Sequence, residues 1–149
     1  MDDLVQWLGE QLDEDERIAW AAGGNVWRRQ EYPSDAVAIY ASNGEGVVYD
    51  EGWPSEGQAE HIVEHDPARV LREIDAKRQV VSLYAEAVEA HAALRARMRE
   101  VVDSDPDGFW RLHRQESELI ETESRIRPVV RLVALPYADR PGYREEWRP

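Results

Sequence analysis

His61, Glu64 and His65 are the residues whose type and spacing could do chemistry first. They lie in Glu60 to Lys77, which reads EHIVEHDPARVLREIDAK. On a helix, residues four apart share a face, so the two imidazoles could bind one Zn²⁺. His61-Ile-Val-Glu64-His65 also fits the inverted zinc-protease pattern H-x-x-E-H, which needs a third protein ligand on a helical scaffold. Asp66 follows at once, but before Pro67 it reads as a helix cap. The competing reading is an exposed helix turn whose histidines pack or hydrogen-bond. The cofactor expectation is therefore none, with zinc on His61 and His65 as the alternative.

Other chemistries have less support. Cysteine is absent, which excludes disulfides, thiolate metal sites and cysteine nucleophiles. There is no G-x-S-x-G, P-loop or G-x-G-x-x-G. Asn43-Gly-Glu-Gly46 reads as a turn. Arg95, Arg97 and Arg99 could touch phosphate, but Glu100, Asp103 and Asp105 beside them mark a solvated helix face.

The elements that must position these residues are mostly helical. Leu4, Val5, Leu8, Leu12, Ile18, Ala19 and Ala22 have helical spacing behind Asp2 and Asp3, and Gly23-Gly24 ends that helix. Residues 25–50 hold short β-branched and aromatic runs. They predict a small antiparallel sheet of two or three strands, with Asn43-Gly44 as a hairpin signal. Ser55 with Gln58 resembles a capping box for a short helix over Gln58–His65. Asp66-Pro67 opens a helix reaching about Val102, roughly 50 Å long. Asp105-Pro106 opens another that Pro128 interrupts or kinks, with Val129–Leu135 continuing as helix or, alternatively, as a strand. The fold class is α+β, mainly α. An N-terminal helix and sheet (about 25–50) precede a long antiparallel helical hairpin (about 66–102 and 107–135) and an extended C-terminal tail. The chain of 149 residues reads as one domain, with an acidic part at 1–68, a hairpin at 69–135 and a tail at 136–149.

A hairpin turning near residue 105 makes facing residue numbers sum to about 210. His91 should then face the region of Leu119, and His113 that of Arg97. The same arithmetic brings the tail towards residues 61–74. Tyr137, Asp139, Tyr143, Glu145 and Glu146 become the expected neighbours of the His pair, with Tyr137, Asp139 and Tyr143 lining a small-ligand pocket. Among the tryptophans, Trp7, Trp20, Trp27 and Trp110 lie on amphipathic elements and read as core. Trp53 and Trp147 lie in loops and read as exposed interface residues.

Charge narrows the partners. The net charge is −13, and residues 1–68 carry all of it, with 16 acidic residues against 3 Arg. Such a field repels nucleic acid and anionic membrane and attracts a basic partner, or mimics a polyanion; its plainer reading is solubility. No apolar run nears the ~20 residues that span a bilayer, and the acidic N-terminus is no secretory signal. We therefore expect a cytoplasmic, non-enzymatic interaction or regulatory protein that binds a protein partner and forms a homodimer through its hairpin. The alternative is a metal- or small-ligand-binding protein, or a hydrolase, centred on His61 and His65.

Three stretches carry a resemblance: AEHIVEHDPARVLREIDAKR at 59–78, LVALPYADRPGYREEW at 132–147 and the opening MDDLVQWLGEQLDEDERIA. Together they resemble a family of small proteins of unknown function from actinobacteria and their phages (domain of unknown function 6221). More loosely, the order of elements is similar to phage accessory proteins of the Ead/Ea22 type. The chain departs from the family pattern at Ala22–Trp27, and Arg140 stands where a His is usual. The resemblance implies a bacterial cytoplasm or a phage-infected cell; it brings no activity, ligand or catalytic residue.

Overall fold

The computed structural model describes residues 3–33, 36–49 and 54–149. It is mainly helical, with a three-stranded antiparallel sheet. Helix α1 spans Asp3–Ala21. Strands β1 (Trp27–Glu31), β2 (Val37–Ala41) and β3 (Gly46–Val48) follow, then α2 (Glu56–Glu64), α3 (Pro67–Val101) and α4 (Pro106–Ala134). The chain divides into two compact units: Leu12–Ala76, and Met1–Gln11 with Lys77–Pro149. The division falls within α1 and α3, so it follows the packing and not the element boundaries.

In the unit Leu12–Ala76, each junction has a local cause. The end of α1 is a Schellman cap: Gly23 N–H donates to Trp20 O and Gly24 N–H to Ala19 O, both at 3.0 Å. Both glycines have positive φ, 102° and 62°. The chain then enters β1, which pairs with β2 from Trp27↔Ala41 to Glu31↔Val37. Asn43-Gly44 turns β2 into β3, Gly44 taking φ 89°. The central strand β2 buries Ala38, Ile39 and Ala41, and α2 packs against β1 and β2. The capping box forms as expected: Ser55 Oγ accepts from Gln58 N–H at 3.3 Å, and Gln58 Oε1 accepts from Ser55 N–H at 2.8 Å.

In the other unit, α3 and α4 form the hairpin. His91 Nδ1 lies 2.6 Å from Glu123 Oε1 and its Nε2 3.3 Å from Glu116 Oε1. These glutamates flank Leu119, the position the hairpin arithmetic gives. Arg127 Nε donates to Tyr84 Oη at 3.0 Å. His113 lies against Phe109 and Trp110 of its own helix. Pro128 does not end α4, which runs through to Ala134. The fully buried Val130 and Ala134 beyond it offset the cost of roughly 3 kcal/mol for an interior proline. Val129–Ala134 is therefore helix, not strand.

Three tryptophans depart from expectation. Trp20 is 60% exposed and Trp110 63%, although both are on amphipathic helices. At 100° per residue, Trp20 is rotated one step off the buried Ala19, and Trp110 two steps from the half-buried Leu112. Trp147 is the converse, only 7% exposed. Its ring lies 5.4 Å from Trp7 and 5.8 Å from Tyr143. It is core, because the tail folds back on the first turns of α1. Trp7 Nε1 donates to Pro141 O at 3.0 Å, and Asp3 pairs with Arg144 at 2.9 Å. The tail is extended at Arg144 and Arg148, with 3-10 helices at Leu135–Tyr137 and Glu145–Trp147.

A Cβ on Gly24 would lie 2.3 Å from the Trp20 ring, on a backbone at φ 62°. Gly24→Ala is expected to lower stability by about 1–3 kcal/mol, read as a fall in the urea midpoint at unchanged slope.

Candidate functional site

The two histidines stand where α2 meets α3. Only His65 and Asp66 separate the helices. His65 N–H donates to His61 O at 3.1 Å, closing the last turn of α2. Its ring Nδ1–H donates to the same carbonyl at 2.9 Å. That bond puts the proton on Nδ1 and leaves Nε2 as the nitrogen able to meet a ligand. Both residues are exposed and their rings lie close together but tilted, with centroids 4.2 Å apart and planes at 34°.

Asp66 has the reverse character: it is 6% exposed, the one buried charged side chain among the described residues. Oδ1 accepts from Arg69 N–H at 2.7 Å, which caps α3, and Oδ2 accepts from Trp27 N–H at 3.3 Å. Ala68 N–H donates to Asn25 O beside it, at 3.4 Å. Arg69 adds a bond from Nη1 to Glu64 O at 2.8 Å, satisfying a terminal carbonyl of α2, and pairs with Glu73 at 2.9 Å. The capping role read from sequence is thus met, with a second bond that sequence spacing alone does not indicate. The carboxylate is committed to two backbone donors.

Beside this junction lies a cleft of about 240 Å³. Ile18, Ala19 and Ala22 from α1 and its end form one wall, and Pro67 and Val70 from α3 contribute to the lining. Trp27 also lines it, with Asp15 and His65 as its polar members. The indole N–H of Trp27 and the side-chain carbonyl of Asn25 are shielded from solvent without hydrogen-bond partners among the described residues. Sequence reasoning gave His65 a role and missed the cleft. The available signal was Ile18 and Ala22, apolar residues beside the acidic run Asp13–Glu16.

The remaining candidates fall in the other unit. Tyr137 is buried; Lys77 Nζ donates to its hydroxyl at 3.2 Å and lies 5.4 Å from its ring centroid. The Arg140 guanidinium covers the same ring at 4.8 Å. Tyr143 meets Trp7 edge-on at 5.6 Å. Asp139 is exposed. Arg148 hydrogen-bonds the exposed Glu145 at 2.9 and 3.1 Å, holding that carboxyl below its ordinary range, chiefly through the bonds and then the charge. Trp53 lies outside the described residues. A structural zinc takes four ligands and a catalytic one three protein ligands. Among the described residues no group of three or more His, Asp or Glu converges in that way, so the His pair supplies two ligands at most. No helix among them is long and apolar enough to cross a membrane.

Asp66→Ala removes both bonds to the buried carboxylate and is expected to cost about 2–4 kcal/mol in urea unfolding. Asp66→Asn keeps one acceptor oxygen and should lose less. Equal losses for the two would show that the acceptor oxygen kept in Asp66→Asn contributes nothing.

The family model for DUF6221, a family of unknown function, matches residues 1–149. No curated protein and no solved structure matches the chain.

Proposed function

We propose that this chain, which belongs to that family of unknown function, is a non-enzymatic interaction or regulatory protein whose acidic unit binds a basic protein partner. One observation carries the reading. The unit Leu12–Ala76 holds 15 acidic residues against 5 Arg, net −10 of the chain's −13. The other unit, nearly balanced, has 16 acidic and 13 basic residues. Charge so segregated raises the encounter rate with a cationic surface and repels nucleic acid and anionic lipid. Within the reading, the acidic face stands in for a polyanion on a nucleic-acid-binding protein. The setting is a bacterial or phage-infected cytoplasm, as the resemblance implies. A homodimer belongs to the same proposal, supported by apolar side chains that the hairpin leaves exposed, among them Leu83, Ile120 and Val129.

Capture from an actinobacterial lysate at about 0.05 M and about 0.15 M salt should recover a stoichiometric Lys- and Arg-rich protein, less at the higher salt. Nucleic acid should compete it away. No partner at either salt would overturn the reading, and sedimentation of the same sample at monomer mass would remove the dimer.

A second reading, a metal or small-ligand site on His61 and His65, is supported by the exposure and close approach of the two rings. It predicts that zinc raises the melting temperature of untagged protein and that His65→Ala abolishes the rise. An unchanged melting curve at zinc well above micromolar would sink it.

A further inference from the structure

The cleft beside the α2–α3 junction has an apolar lining with one carboxylate, Asp15, and belongs to the unit that carries most of the negative charge. Ile18 is 50% exposed on its wall, and Trp27, Pro67 and Val70 extend the carbon surface. Its volume is about 240 Å³. That falls below the ~300–1,000 Å³ of sites for drug-sized ligands but exceeds the space of one or two waters at about 30 Å³ each. The size suits one or two amino-acid side chains.

Charge selects which side chains. The unit around the cleft carries net −10, and Asp15, within the run Asp13–Glu16, is part of the lining. A second copy of this chain would bring the same −10 against it, and a nucleic acid would be repelled likewise. A segment with an apolar residue between Lys or Arg residues meets both properties at once. His65 shares the lining.

We infer that this cleft is the docking site for a basic amphipathic segment of a protein partner: an apolar side chain enters between Ile18 and Val70, and its flanking cations meet Asp15 and the neighbouring carboxylates. The inference rests on the proposed function and adds the place and the partner's chemistry. Binding then has two separable parts, an apolar anchor that sets specificity and a salt-sensitive charge contribution.

The test uses two fluorescein-labelled peptides and the whole chain. One peptide carries a central Leu between paired Lys residues; the other has Gly in place of that Leu. The leucine peptide should bind about tenfold more tightly. Ile18→Ser, on an exposed position, should remove most of that difference while the melting temperature shows the fold intact. It should leave the glycine peptide unaffected. Asp15→Asn should weaken both peptides and flatten their salt dependence. If both peptides bind equally and Ile18→Ser changes neither, the cleft assignment falls and the acidic-surface reading stands. If neither peptide binds at low salt, both fall.

Discussion

One buried carboxylate organises the acidic unit. Asp66 holds the first amide of β1 with one oxygen and the N-terminus of α3 with the other. A charge taken out of water is tolerable only when such donors replace the solvent. Here the donors belong to the sheet and to the long helix, so satisfying the carboxylate also sets where those elements meet. His65 and Pro67, its neighbours in sequence, line the cleft, and so does Trp27, whose amide it holds. The candidate binding surface is therefore built outward from a structural bond.

The hairpin solves a related problem differently. Its seam is not purely apolar: His91 reaches Glu116 and Glu123, and Tyr84 receives Arg127. Such contacts are directional, and each defines which residues of two long helices stand opposite one another. Aliphatic side chains, which pack in several registers with similar energy, specify this less sharply. The tail completes the unit by placing Trp147, Tyr143 and Trp7 in mutual contact.

What could be read from sequence was local. The capping box at Ser55, the Asp-Pro helix starts, the Asn43-Gly44 turn and the glycine stop after α1 each depend on residues within about five positions. The physics that decides them is in the window. His91's neighbours were also legible, because one turn position fixes the pairing along a whole hairpin. Burial of aromatic residues was not legible in this way. Trp20 and Trp110 differ from core residues by a rotation of one or two helical steps, and Trp147 depends on where the tail returns. The cleft was hidden for the same reason: its wall joins Ile18 to Val70, 52 positions along the chain.

Lys77 is the one lysine among 149 residues, and its ammonium is engaged by the Tyr137 hydroxyl and ring. Reagents that acylate amines thus find a single side chain, held against an aromatic ring in native protein. Its labelling rate therefore reports on the contact between α3 and the Tyr137 ring.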